Sequence, residues 1–327
     1  MVRIRLWNDP YDESGNSYGG GTNDLDKVMS LARRVVDAGM EWMLCLHYSD
    51  FWTDPGKQIT PKAWQGLDVE GLALAVYDFT RGTLEKLKVE GVAPAMVAVG
   101  NEITAGLLWP LGKAPQFDNI ARFINVGIQA VKETLPDAEI MLHLDCGGNN
   151  DACRQWFDRY LAAGGRDFDV IGLSYYPTWH GPLSGLQANL NDLAQRYQKD
   201  VMVVELGMPF SFADYYSYEG LTQEESRGMA AKASMRDRLE YPATPEGQAA
   251  FLREVLSFTR QIPAGRGRGV VWWEPAWLPV PGCGWAEQPG WEYVKEKGPG
   301  GNEWANQALF DYEGNVLPAL QVIRDFE

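Results

Sequence analysis

Short apolar runs of strand length alternate with segments of helical period along the whole chain, and that alternation admits very few folds. The runs lie at residues 2–7, 41–47, 96–99, 139–145, 169–175, 201–207 and 269–274. Between them, helical spacing predicts a helix capped by Asn23, with Leu25, Val28, Ala32, Val35 and Val36 inward and Gly39 closing it. A second helix is expected over 68–90, with Leu72, Val76, Phe79, Thr83 and Leu87 on one face. A third is expected over 117–135, carrying Ile120, Ile124, Ile128 and Val131 inward. Further helices are read at 151–163, 186–198, 245–260 and 317–325, the third of these opened by Thr244 as cap and Pro245 at its first position. Strand–helix alternation demands a parallel sheet, whose buried strands read as continuous apolar runs. Loops after the strands are long and rich in aromatic and acidic residues, whereas loops after the helices are short. That asymmetry is the mark of an α/β barrel with one functional face. No repeat, low-complexity stretch or linker interrupts it, so residues 1–327 read as one barrel domain.

The strand ends place two acids alike. Glu102 follows the run at 96–99 after Gly100 and Asn101, and Glu205 ends the run that begins at Val201. A carboxylate just past a buried parallel strand stands where α/β barrels keep their chemistry. A surface Glu at a strand end is common, so either acid alone means little. Two of them in matched positions are the equipment of a glycosidase. A closed (β/α)8 barrel has eight strands, and the pattern supplies seven.

Composition restricts the ligand rather than naming it. There are 44 acidic and 29 basic residues, a net charge of −15 that argues against nucleic acid or an anionic membrane as partner. It fits a neutral, polyhydroxylated ligand, as it fits acidic soluble proteins in general. The 13 Trp, many in Gly- and Pro-rich loops, offer flat apolar platforms as well as core. Cys45, Cys146, Cys153 and Cys283 form no CxxC pair, which disfavours a structural zinc site; whether Cys146 and Cys153 pair stays open. Cys45, in an apolar strand, reads as a small core residue. No apolar run has the length of a membrane span, and no signal peptide is visible.

An ordered set of motifs resembles one known family. VRIRLWNDP (2–10), HYSDFWTDPG (47–56), VGNEIT (99–104) with GLLWP (106–110), IGLSYYP (171–177), WWEPAW (272–277) and NQALFD (306–311) are similar, in that order, to glycoside hydrolase family 53. These are the arabinogalactan endo-β-1,4-galactanases of the large clan of (β/α)8 retaining glycosidases. The resemblance implies a TIM barrel that cleaves β-1,4-galactosidic bonds in galactan and its oligosaccharides. In that clan the acid/base ends barrel strand 4 and the nucleophile ends strand 7. Here the matching acids end the third and sixth visible strands, so the resemblance implies that the family's first β/α unit is absent from this chain. It also implies secretion, since a polysaccharide does not enter a cell. No cofactor is implied: the loop FADYYSYEG (212–220) lacks the Asp/Asn/His pattern of those relatives that bind calcium. Leu206-Gly-Met follows Glu205, where a Thr or Asn often stands in relatives.

By the same resemblance Glu102 is the acid/base, and its pKa must be raised by burial or by a neighbouring charge. Glu205 is the nucleophile and must stay ionised, with Arg5 as a donor that holds its charge. Asn101 corresponds to the clan's ligand for the sugar 2-hydroxyl, and Tyr175 to the residue that hydrogen-bonds the nucleophile, with Tyr176 as the competing choice. Trp273 corresponds to the floor beneath the sugar at the cleavage point. His47, Asp50, His143 and Asp145 end their strands and can bind hydroxyls; for each, a structural hydrogen bond is an equal alternative. Spread over different strand ends, they lack the close-spaced pair expected of a metal site. Trp52, Trp109, Trp179 and Trp277 can stack on galactose faces, and at least one is expected to pack a loop instead. Trp285, Trp291 and Trp304 are weaker candidates for the same role. Two alternatives stand beside the galactanase: another β-glycanase of the clan, such as a mannanase or glucanase, and a non-catalytic galactan-binding barrel. Retention of both acids disfavours the last.

Overall fold

The computed structural model describes residues 1–215, 229–280, 284–296 and 302–326. Seven strands, β1 (Val2–Leu6), β2 (Trp42–Leu46), β3 (Met96–Val99), β4 (Glu139–Leu144), β5 (Val170–Tyr175), β6 (Asp200–Leu206) and β7 (Gly267–Trp272), follow one another in a sheet in chain order. β1 through β5 pair in parallel, with Ile4 opposite Leu44, Cys45 opposite Ala98, and His143 opposite Gly172. β6 and β7 also pair in parallel, with register shifts on either side of Val203. This is the (β/α)-barrel pattern expected. Strands β2, β3 and β5 are buried at every residue, as helices on one face and packed side chains on the other require. β1 and β7, the first and last of the order, are partly open along their length.

A helix follows each strand: α1 (Leu25–Asp37), α2 (Val69–Val89), α3 (Phe117–Thr134), α4 (Asn150–Ala162), α5 (Leu183–Tyr197), α6 (Pro245–Arg260) and α7 (Gln288–Val294), with α8 (Pro318–Asp325) closing the chain. The expected cap of α1 is displaced by one residue. Asp24, not Asn23, accepts from the Lys27 N–H, because a carboxylate also favours the positive end of the helix dipole. Asp68 and Thr244 cap α2 and α6 in the same way, Thr244 directly before Pro245. α7 is the one of these helices that the apolar periodicity does not predict: it is short, has Pro289 as its second residue, and is held by the buried, edge-packed pair Trp285–Trp291.

The contacts divide the chain into two compact units. The first comprises residues 1–17, 21–145 and 151–173; the second comprises 18–20, 146–150 and 174–327. Cys45, Cys146 and Cys153 are free thiols, which settles the open pairing. Cys283 and residues 216–220 of the loop compared with calcium sites lie outside the described residues. Among the described residues no helix is long and apolar enough to cross a membrane.

Candidate active site

In the first unit, chemistry gathers at the C-terminal end of β3. The chain turns sharply there: Gly100 has φ +94°, and a Cβ on it would sit 2.6 Å from the Ile103 side chain. Glu102 itself adopts a left-handed conformation, φ 49° and ψ 52°, which for a non-glycine residue costs on the order of 1–3 kcal/mol. Hydrogen bonds on both sides hold it. Its N–H donates to His143 Nδ1 at 3.3 Å, and Gln58 Nε2 donates to the carbonyls of Asn101 (2.9 Å) and Glu102 (3.3 Å). Glu102, Asn101, Gln58 and His143 are all buried.

The side chain of Asn101 is fixed at both ends. Its Oδ1 accepts from Arg3 Nη2 and its Nδ2 donates to the Thr53 carbonyl at 2.9 Å. Thr53 in turn orients His47, donating its N–H (3.2 Å) to Nδ1, with its hydroxyl 2.9 Å from the same nitrogen. A backbone N–H can only donate, so the neutral imidazole of His47 carries its proton on Nε2. The same reasoning assigns Nε2–H to His143. Burial, reinforced by the nearby Arg3 charge, holds both imidazoles well below the ordinary histidine range. Among the described residues, His47 Nε2 is a buried donor with no hydrogen-bond partner. Asp145 offers the converse: its N–H meets Thr104 Oγ1 at 3.2 Å, and its buried Oδ1 is an acceptor without a partner among the described residues.

Asp50 takes the structural one of its two expected roles. Its two oxygens accept from the backbone N–H groups of Asp9 (3.2 Å) and Lys62 (2.7 Å), so it ties loops together and presents no free oxygen pair to a sugar. Burial raises its pKa despite these bonds. Arg5 lies over Trp52, 4.2 Å from the ring centroid, and more distantly over Trp7. Trp109 donates its indole N–H to the Ala105 carbonyl and carries the Lys113 ammonium 4.0 Å over one face, so a sugar can stack only on the other.

In the second unit, Glu205 is buried within strand β6, near its C-terminal end. Tyr176 donates its hydroxyl to Glu205 Oε2 at 2.9 Å. The preferred assignment of Tyr175 is therefore corrected. Its hydroxyl donates to the Gly181 carbonyl at 2.6 Å, because successive side chains on a strand point to opposite faces and Tyr175 turns away toward Phe251. Gly207 makes room for the correct tyrosine: a Cβ there would lie 2.9 Å from the Tyr176 ring. Trp179 and Trp304 pack against the same ring, with centroids 5.4 and 5.2 Å away, and Trp179 stays 41% exposed. The Trp273 N–H donates to the Leu206 carbonyl, which sets Trp273 just past β7 and beside the end of β6. Trp277 accepts on its carbonyl from Asn302, and Trp285 and Trp291 are packing residues.

Sequence reasoning missed two members of the first unit. Arg3 shares a face of β1 with Arg5 by the period of two, so alternation alone contained that signal. Gln58 sits in an irregular loop and has no periodic signature. Motifs that carried the resemblance turn out to be scaffolding as well. Asn306 donates to the carbonyls of Ser211 and Ala231, and buried Gln248 reaches those of Met208 and Ala308, so both fasten the loop leaving β6.

Comparison with known proteins places the chain in one family. The family model "Glycosyl hydrolase family 53" matches residues 1–323. An endo-beta-1,4-galactanase of Bacillus subtilis is 38% identical over 343 aligned positions, covering 99% of this chain and 76% of that protein. A probable arabinogalactan endo-beta-1,4-galactanase A of Aspergillus terreus is 37% identical, covering 86% of this chain and 76% of the relative. Among solved structures, the GH53 catalytic domain of Ignisphaera aggregans superposes with a TM-score of 0.87 at 36% identity, over 99% of this chain and 84% of that one. With a match of this extent over the (β/α) fold and its strand-end acids, the chain belongs to glycosyl hydrolase family 53 and is a glycoside hydrolase.

Proposed function

We propose that this protein cleaves internal β-1,4-galactosidic bonds of galactan by a retaining double displacement, within one catalytic domain spanning residues 1–327. The observation that carries this reading is the family match over residues 1–323, with relatives named as galactanases. Glu205 attacks the anomeric carbon while Glu102 gives its proton to the departing glycosidic oxygen. This leaves a galactosyl ester on Glu205 and a freed sugar hydroxyl. Glu102, now ionised, takes a proton from water, the hydroxide oxygen displaces Glu205, and the β configuration is restored. The hydrogen bond from Tyr176 favours the ionised form of Glu205 and fixes which oxygen faces the sugar. Arg5 adds positive charge on the nucleophile's behalf. Asn101, held by Arg3 and the Thr53 carbonyl, presents its remaining amide hydrogen to the sugar 2-hydroxyl. The Nε2–H groups of His47 and His143 donate to sugar oxygens, and Asp145 Oδ1 accepts from a hydroxyl.

Trp273 forms the floor beneath the cleaved unit, while Trp52, Trp109, Trp179 and Trp277 supply stacking surfaces further along the polymer. Galacto-oligosaccharides are cleaved by the same reaction, and the polymeric substrate places the enzyme outside the cell. The test is proton NMR of galactan hydrolysis as it proceeds. The β anomer of the new reducing end appears first, and the α anomer grows in only by mutarotation. Initial release of the α anomer refutes the double displacement, and a folded protein that frees no reducing ends from de-arabinosylated galactan refutes the activity.

A further inference from the structure

The buried amide of Gln58 does more than fill space. It lies in the loop between β2 and α2, is 1% exposed, and sends one nitrogen toward three backbone carbonyls: Asn101 at 2.9 Å, Glu102 at 3.3 Å and Asp54 at 3.3 Å. Three carbonyl acceptors leave no doubt which end of the amide is the nitrogen. The backbone carbonyl of Gln58 accepts from the backbone N–H of Trp109 at 2.8 Å, and Thr60, two residues on, donates its hydroxyl to the Trp109 carbonyl at 2.8 Å. Residues 58–60 therefore run beside the far end of the loop that Glu102 opens. Of all these contacts, only the amide of Gln58 reaches both the carbonyl of the Asn101–Glu102 peptide link and the carbonyl of Glu102 itself.

That link is where positioning matters. Left to local preference, a glutamate at φ 49° relaxes to the right-handed or extended region, and either rotation swings its carboxyl group away by several times the tolerance for proton transfer. The His143 acceptor constrains the N–H of Glu102, whereas Gln58 constrains its carbonyl, so the residue is held from both sides. We infer that Gln58 is the positioning residue for the acid/base: it keeps Glu102 in its left-handed conformation and thereby aims its carboxyl group at the glycosidic oxygen. This rests on the proposed role of Glu102 as acid/base.

The experiment compares Gln58→Met with the parent on two substrates, de-arabinosylated galactan and a dinitrophenyl β-galactobioside, reading kcat/KM, which reports bond cleavage. Galactan departs as an alkoxide and needs the proton of Glu102; dinitrophenolate leaves without it. Loss of aim should lower kcat/KM on galactan by about 10–100-fold, since misplacement near 1 Å costs on that order. On the aryl substrate the change should stay within about twofold, and KM for galactan should not move. Equal losses on the two substrates, or no loss on galactan, overturn the inference. Glu102→Ala run in parallel isolates the underlying assignment: if it too treats both substrates alike, Glu102 is not the acid. Thr60→Val loosens the same loop without touching the Glu102 carbonyl and should show no dependence on the leaving group. If Gln58→Met does not fold, Gln58→Asn, which keeps an amide one methylene short of its acceptors, is read by the same two rates.

Discussion

The two carboxylates are held in opposite ways. Glu102 belongs to a turn whose backbone is strained and clamped by side chains, Gln58 and His143. Glu205 belongs to a strand whose backbone keeps ordinary extended dihedrals, and the Tyr176 phenol donates to its side chain. The difference matches what each group must do in the proposed cycle. A proton donor must aim twice at oxygens on one side of the sugar, so its whole residue is fixed. A nucleophile must move toward carbon and back again, so its oxygen is directed but its backbone is left in ordinary geometry. The surroundings differ likewise: around Glu102 lie Arg3, Asn101 and two neutral imidazoles, and around Tyr176 lie Trp179, Trp304 and His180.

The comparison breaks first at the acids themselves. Glu205→Ala should abolish release of reducing ends from galactan. Glu102→Ala should lower it by roughly 10²–10⁴-fold, the usual contribution of a positioned acid/base. Azide should restore turnover of an activated aryl galactoside in both variants but with opposite products: β-galactosyl azide from Glu102→Ala, where it attacks the galactosyl ester without needing a base, and α-galactosyl azide from Glu205→Ala, where it takes the place of the missing carboxylate. Rescue of neither, or an α-azide from Glu102→Ala, reverses the assignment.

The tyrosines sharpen it next. Tyr176→Phe removes a hydrogen bond to a charged group, worth about 1.5–3 kcal/mol, and should lower kcat roughly 10–150-fold. Tyr175→Phe removes a bond to a backbone carbonyl far from the chemistry; it should leave kcat in place and reduce stability by about 1 kcal/mol in urea unfolding. A Tyr175→Phe variant with the larger loss of kcat would restore the original assignment.

A pH effect is expected from the Glu102 region. His47 and His143 are buried and neutral, with folded pKa values pushed below the unfolded one by burial and by Arg3. The unfolded chain binds protons that the folded chain refuses as pH falls below about 6.5, so stability drops with acidification, by up to about 1.4 kcal/mol per pH unit for each imidazole. Above that pH both states are neutral and the contribution is flat. Thermal melts between pH 5 and 8 should show this slope, and His47→Gln should remove about half of it; an unchanged slope refutes the assignment. The smallest expected effect concerns Trp109. Removing the cation from its outer face with Lys113→Ala should change KM for galactan by only about two- to fivefold and leave kcat alone, since an exposed cation–π contact is worth about 0.5–1 kcal/mol.

Much of this molecule was legible in its residues before any coordinates. Period-two and period-3.6 patterns identified seven strands in order and all helices but α7, because burial imposes those periods wherever an element has a face toward the core. The two acids were legible because a polar residue at the end of an apolar run breaks the pattern that burial sets up. What the tertiary structure decided is orientation. Whether Tyr175 or Tyr176 meets Glu205 depends on which way each side chain turns at the end of β5, and two adjacent tyrosines carry no mark of that. Whether Asp50 binds sugar or ties loops depends on two backbone N–H groups, at Asp9 and Lys62, far apart in the chain. Gln58 is the clearest case: an amide in an irregular loop, silent in any periodicity, reaches across 43 and 44 positions to the carbonyls of Asn101 and Glu102. Periodic patterns record which residues are buried, because burial repeats along a chain; which buried group meets which is decided only when distant segments come together.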